Sequence, residues 1–348
     1  MRKLLALVLI LALALPLLAV AEGTYEIAMV TDVGNIDDKS FNQYSYQGIK
    51  DFAAETGKTF AYYQPLEDSV DSRLETIVSA IEKGAKTVLT PGYLFADAIG
   101  LAQDLYPEVN FILIDTAPAG VAAKNTYSVL YQEEQAGYLA GYAAVKDGYT
   151  KLGFLGGVDV PAVVRYGFGF VQGADAAAKE LSIQVDVKYW YGNVFWPTDD
   201  VKIKMGGWFT EGTEVVFACG GGIYLSALAA AEESDRKIIG VDVDQGVESP
   251  RIITSAMKEL TKYVKLTLEA INNNGGKLPE NMQGVTETFG AKDDAIGLPT
   301  SPESWRLAKF TVEEYKALLE QLKSGAIVVS PAIDAPPVVT NAVVDYQN

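Results

Sequence analysis

YEIAMVTDVGNIDDKSFNQYSYQG, residues 25–48, runs from an apolar segment through a polar loop into a helix-period stretch, QGIKDFAAETG (47–57). YEIAMV (25–30) reads as a buried strand of a parallel sheet. The loop after it therefore lies at the carboxyl edge of that sheet, where open α/β folds bind their ligands. It carries Asp32, Asn35, Asp37, Asp38, Ser40, Asn42 and one aromatic ring, Phe41. Carboxylates and amides accept hydrogen bonds from hydroxyls and amines, and an aromatic face stacks on a flat ring. The set suits a polyhydroxylated ligand with a planar group. A helix cap by Asp38 or Ser40 would explain one residue and leave the rest without a reason.

The alternation of apolar run and helix continues along the chain. Strands are expected at 25–30, 59–64, 87–92, 110–115, 126–131, 151–157, 183–192, 214–220, 237–242 and 251–257. Helical stretches such as DSRLETIVSAIEKG (71–84) and AAKELS (177–182) lie between them, and FTVEEYKALLEQLKSG (310–325) reads as an amphipathic terminal helix. This is the pattern of βαβ units, an α/β class with parallel sheets, repeated across two halves. Asp115 ends the fourth strand, Gly220-Gly221-Gly222 the eighth and Asp242 the ninth. Each is thereby expected to face the same crevice as Asp32.

Composition removes whole classes of function. MRK, the apolar core LLALVLILALALPLLAV and Ala19-Val20-Ala21 form a secretory signal peptide over 1–21. No second apolar stretch of membrane length follows, and no cysteine stands near Ala21 to take an acyl anchor. A soluble exported protein, periplasmic or extracellular, is expected. The 327 residues left exceed a comfortable single core, so two domains are expected. Loss of Arg2 and Lys3 leaves 26 basic residues against 45 acids, a net charge of −19, which disfavours nucleic acid and anionic lipid. With no histidine, Ser-His-Asp and Cys-His mechanisms, HExxH zinc sites and most imidazole metal sites are excluded. Carboxylate-only catalysis stays open. Cys219, alone in VVFACGG, is expected to be a small core residue.

Other motifs carry less. GGGIYLSA (220–227) lacks the spacing of a dinucleotide turn. The pairs Asp37-Asp38, Asp199-Asp200 and Asp242-x-Asp244 lack the spaced oxygen ligands of a calcium loop, so no metal and no cofactor is expected. Tyr127, Tyr131, Tyr138 and Tyr142 read as core packing.

TDVGNIDDKSFNQ (31–43) resembles the signature of the basic membrane protein (BMP) family of ABC-transporter substrate-binding proteins, the purine-nucleoside-receptor type. Four further blocks agree in order: LGFLGGVDVPAVVRYGFGFVQG (152–173), WYGNVF (190–195), EVVFACGGG (214–222) and IIGVDVDQ…IITSAMK (238–258). The resemblance implies a type I periplasmic-binding-protein fold, two Rossmann-like lobes joined by a three-stranded hinge. It suggests one lobe from 22–125 plus about 251–282, and the other from 126–250 plus about 283–348. It implies ligand contacts from Phe41 and Phe195 on opposite faces of a base, and from Asp32, Asn42 and Asp115 at base or ribose edges. Gly221 would offer backbone, and Asp242 with Lys258 would hold ribose hydroxyls. Asn35 stands where many relatives have a second glycine and could add a polar contact. Trp196 is the alternative to Phe195 as the second ring.

From the residues alone, Asp242 and Lys258 could instead form a salt bridge, Phe195 could be core, and Asp115 could cap the following segment. The expected function is capture of a nucleoside, a purine in the family's manner, as a monomer that delivers it to an ABC permease without catalysis. The rivals are a receptor for another small polar ligand (a sugar, a vitamin, a signal molecule) and a secreted carboxylate-dependent nucleoside hydrolase.

Overall fold

The computed structural model describes residues 24–347, so the signal-peptide reading of 1–21 lies outside the described residues. The described residues form two sheets. The first has the order β11-β5-β4-β3-β1-β2 and is built from β1 (Ile27–Val30), β2 (Phe60–Tyr63), β3 (Thr87–Pro91), β4 (Asn110–Ile114), β5 (Thr126–Tyr131) and β11 (Val285–Phe289). All its pairings are parallel. The second has the order β12-β10-β9-β8-β6-β7-β13. Its strands are β6 (Lys151–Gly156), β7 (Val185–Tyr191), β8 (Val215–Cys219), β9 (Lys237–Asp242), β10 (Ile252–Lys258), β12 (Ile296–Gly297) and β13 (Ala342–Gln347). It is parallel except for β12, which runs antiparallel to β10.

Central strands such as β3, β4 and β8 are buried at every residue, because helices cover both faces. In each sheet the strand order reverses at the first strand of the half, β1 or β6. The crevice outside the carboxyl ends at such a switch point is the binding position of this architecture. All ten strands expected from the sequence are present. The additions are β11, β12 and β13: β11 and β13 are edge strands whose exposed residues hide their periodicity, and β12 is only two residues long.

The lobe boundaries read from sequence need correction. β5 pairs with β4 in the first sheet, from Phe111 opposite Thr126 to Ile114 opposite Val129, so the first crossing follows Tyr131 and not residue 125. β10 pairs with β9 and belongs to the second sheet, while β11 pairs with β5 in the first. The chain thus crosses near Gln132, Glu259 and Gly290. A strand that feeds a crossing looks in sequence like any other strand, since its register with a distant neighbour is not local information. The crossings are tied to one another. Gln132 N–H donates to the Phe289 carbonyl at 2.9 Å, and Tyr131 OH donates to the Glu259 carbonyl at 3.3 Å.

Two helices set the depth of the crevice. α4 (Glu133–Asp147) and α5 (Pro161–Leu181) follow α1 (Phe41–Thr56), α2 (Val70–Glu82) and α3 (Ala96–Leu105) among the described residues. α4 and α5 touch backbone to backbone. Gly137 and Gly141 face the carbonyls of Tyr166 and Phe170, and Gly169 and Gly173 face those of Glu134 and Tyr138. A β-carbon at any of the four would overlap the opposing chain, so only glycine permits this approach. Small residues four apart on both helices bring them to minimal separation and aim the first turn of α5 at the interlobe space.

Candidate ligand-binding site

Between the sheets lies a cleft of about 630 Å³ free of protein atoms, part of it open to solvent. Its walls come from both lobes: Asp32, Phe41, Asn42, Gly92 and Asp115 on one side, Tyr166, Phe195, Gly221, Asp242 and Lys258 on the other. The sequence-predicted set converges here, with one exception. Asn35 is exposed and does not line the cleft, because the loop turns its tip outward to water.

The first loop is held by its own carboxylates. Asp32 Oδ1 accepts from Gly34 N–H and from Asn42 Nδ2, both at 2.7 Å. Burial pushes the Asp32 carboxyl above its ordinary range, against these two donors. Asp38 accepts backbone N–H groups from Ser40, Asn42 and Gln43 at 2.9–3.1 Å, so it caps α1. Burial outweighs those three bonds and pushes Asp38 up to about 7. Ser40 does something else: its hydroxyl donates across the cleft to Asp242 Oδ2 at 2.6 Å. Gln245 Nε2 also donates to the Lys39 carbonyl at 3.2 Å, and Lys39 pairs with Glu248. The lobes are therefore closed on each other. Phe41 is the first residue of α1 and not a loop residue, and its ring is partly buried over the cleft.

Asp115 and Asp242 occupy matching positions, each just where β4 and β9 end, with φ of 64° and 66°. This left-handed backbone is uncommon outside glycine but tolerated by aspartate, and it turns each carboxylate into the cleft. Between them sits the Lys258 ammonium, buried at the end of β10. It pairs with Asp115, lies 3.5 Å from Asp242 and 3.7 Å from Glu133 Oε1. Burial alone would lower the Lys258 pKa, but the carboxylates of Asp115, Asp242 and Glu133 outweigh it and hold the ammonium above its usual range. The Phe41 ring centroid is 4.7 Å from the same nitrogen. Asp242 is raised by burial, with Lys258 and Ser40 opposing. The Asp242–Lys258 salt bridge is thus present, and it forms part of the cleft wall.

On the second lobe Phe195 packs on Gly157 and Gly220, where a β-carbon would meet its ring, and its carbonyl accepts from Gly222 N–H at 2.8 Å. Gly221, at φ 52°, leaves room against the Phe195 carbonyl. Trp196 is outside the cleft and exposed. Cys219 is buried against the cleft floor, and burial pushes its thiol well up. Tyr127, Tyr131 and Tyr138 are core residues.

Hydrogen bonding leaves a pattern of unmet groups. Asp115 Oδ1, Asn42 Oδ1 and Tyr166 OH are buried without a partner. Buried polar atoms in folded proteins are nearly always paired, so this group marks where a ligand supplies the partners. Acceptors dominate, which selects a ligand rich in hydroxyl or amine donors. Among the described residues no cluster of acidic or cysteine side chains has metal-site geometry.

Residues 25–330 match the Bmp family, described as ABC transporter substrate-binding protein, PnrA-like. The chain belongs to that family. It is 28% identical over 294 residues to the ABC transporter nucleoside-binding protein BmpA of Lactococcus lactis subsp. cremoris, covering 78% of this chain and 80% of that one. It is likewise 28% identical over 293 residues to Basic membrane protein B of Borreliella burgdorferi, covering 80% and 82%. The fold is shared with a solute-binding protein of an ABC transporter from Aeropyrum pernix K1, at TM-score 0.76 and 20% identity over 89% of this chain and 95% of that one. As a Bmp-family member the chain is an ABC substrate-binding protein, extracytoplasmic by family. No helix among the described residues is long and apolar enough to cross a membrane.

Sequence reasoning missed two contributors. Tyr166 lies within the quoted glycine-rich block, but nothing in VVRYGF separates it from core tyrosines. Glu133 follows β5 and is fully buried, accepting from Arg165 Nε at 2.6 Å. Burial pushes it up to about 7, with Arg165 opposing. The signal for it was a pair of glutamates directly after an apolar strand, where a helix N-terminus favours negative charge.

Proposed function

We propose that this Bmp-family protein captures a nucleoside, with a purine base, between its two lobes and hands it to the permease of an ABC importer. The observation that carries the reading is the placement of Phe41 and Phe195, from opposite lobes, around a cleft lined by Asp115 and Asn42, each with an unpaired acceptor, and by Lys258. A base stacks between the rings, and the ribose diol donates to Asp242 and Asp115 while Lys258 donates back. Asp32 and Asn42 address the remaining edge, and Gly221 offers backbone. The name of the lactococcal relative supports the same ligand class. The protein acts as an exported monomer, and binding is its whole activity.

The test is mass spectrometry of ligand released by denaturing the purified protein, followed by calorimetric titration of purine and pyrimidine nucleosides. Micromolar or tighter stoichiometric binding without turnover supports the reading. Binding of a free sugar or vitamin in place of nucleosides overturns it in favour of another receptor. Release of free base from inosine or adenosine overturns it in favour of a carboxylate-dependent hydrolase.

A further inference from the structure

Tyr166 lies near the start of α5, in the part of that helix that reaches the cleft. Its backbone is fixed by the helix contact, since its carbonyl faces Gly137. Its ring packs edge-on against Phe217, with centroids 5.9 Å apart and planes at 79°. The residue is 1% exposed and lines the cleft, and its hydroxyl has no hydrogen-bond partner among the described residues. Phenylalanine would serve the packing equally well, and a buried hydroxyl left unpaired costs stability. The hydroxyl is therefore kept for a group that enters the cleft.

The surroundings say what that group is. Burial first, then the negative charges of Asp242 and Glu133, hold the Tyr166 phenol well above its ordinary range, so it stays protonated and can donate. The Lys258 ammonium is 5.5 Å from its ring centroid. Asp242 Oδ2 accepts from Ser40, and Asp242 Oδ1 lies 3.5 Å from Lys258. Asp115 Oδ1, which also faces the cleft, has no donor among the described residues. A free donor and a free acceptor beside one ammonium call for a ligand that both accepts and donates. An ammonium group cannot accept, and a carbonyl or ether oxygen cannot donate. A hydroxyl does both, and a vicinal diol does so at two neighbouring oxygens. We propose that Tyr166 is a specificity-determining residue, whose hydroxyl donates to the ribose diol while the diol donates to Asp115, so that ribonucleosides are selected over nucleosides lacking the 2′- or 3′-hydroxyl. The inference rests on the nucleoside reading of the cleft and narrows it to the sugar.

The experiment compares wild type with Tyr166→Phe, which keeps the ring against Phe217 and removes only the hydroxyl. Calorimetric titrations use adenosine or inosine, whichever binds wild type more tightly, and its 2′-deoxy, 3′-deoxy and 5′-deoxy derivatives. Tyr166→Phe should weaken the parent nucleoside by about 5- to 150-fold, and the 5′-deoxy derivative by the same factor. The 2′-deoxy or the 3′-deoxy derivative, whichever lacks the hydroxyl that Tyr166 serves, should bind the two proteins equally. The Tm of the free variant should be no lower than that of wild type, because the lost hydroxyl had no partner within the protein. Unchanged affinity for the parent, or an equal loss for all four ligands, overturns the assignment and leaves the cleft reading intact. A fall of several degrees in the Tm of the free variant overturns it too, since the hydroxyl would then be bonded within the fold. Binding of neither adenosine nor inosine to wild type overturns the purine reading of the cleft, and this inference with it.

Discussion

Replacing Lys258 with methionine isolates the electrostatics of the cleft floor, because methionine keeps the length and apolar stem of lysine and removes only the charge. Asp115, Asp242 and Glu133 then lose their shared ammonium, and among the described residues Arg165, paired with Glu133, is the compensating cation left. Removing one partner of a buried ion pair costs about 3–5 kcal/mol. For a chain of this size that is a fall in Tm of about 4–7 °C. The loss has a sign in pH. Without the ammonium, Asp242 and Glu133 bind protons in the folded state that the unfolded chain releases at lower pH, so folding is progressively penalised as pH rises. Thermal unfolding of wild type and Lys258→Met, followed by circular dichroism from about pH 5 to about pH 8, should show a gap that widens with pH. Nucleoside affinity should fall by about thirtyfold or more at neutral pH, since the ribose loses a charged donor. A gap independent of pH, or a variant as stable as wild type at the alkaline end, would refute the reasoning, because the carboxylates could not then be buried against Lys258.

Three further outcomes are expected. Phe41→Ala should weaken nucleoside binding by about 5- to 150-fold, the value of one stacked base, with Tm of the free protein nearly unchanged; Phe41→Tyr should retain most of the affinity in the same titration. Ser40→Ala removes the bond to Asp242 across the cleft and should cost about 1.5–3 kcal/mol of closure, seen in small-angle scattering as a larger radius of gyration at subsaturating ligand. In wild type, Asp38, Glu133 and Glu134, each pushed up to about 7 by burial, retain protons on folding, so their stabilising contribution is full below about pH 4 and lost as pH rises to about 7. Urea midpoints that rise across that window would contradict this assignment.

The fold was legible because its signals are local. An apolar run such as Phe111–Ile114 has no polar alternation, so it reads as a strand covered on both faces, and it is buried throughout. The lobe boundaries were not legible for the opposite reason. TYSVLY (126–131) and IITSAMK (252–258) have the same strand character, yet one pairs in the first sheet and the other in the second. The site divides in the same way. Asp32, Asp115 and Asp242 follow from one rule, that a polar residue just past a parallel strand faces the crevice. Asn35 fits the loop's composition but not its path, since the carboxylates of Asp32 and Asp38 draw the chain into turns that leave Asn35 outside.

Serine 40 shows how one residue type in one loop divides its work with a neighbour. Sequence offered Ser40 and Asp38 as rival caps for the same helix, and a serine is as good a cap as an aspartate. Three backbone N–H groups favour the acceptor with two oxygens, so Asp38 takes them and the Ser40 hydroxyl is released. A hydroxyl can donate where a carboxylate cannot, and the group within its reach is Asp242 on the other lobe. The cap of α1 and the closure of the lobes are therefore linked through adjacent side chains. Asp38→Ser would leave the helix partly capped, while Ser40→Asp would set two carboxylates against each other across the cleft and hold the lobes apart. The order of the two residues in DDKSFN, acid first and hydroxyl second, is what lets one loop both start a helix and close on a ligand.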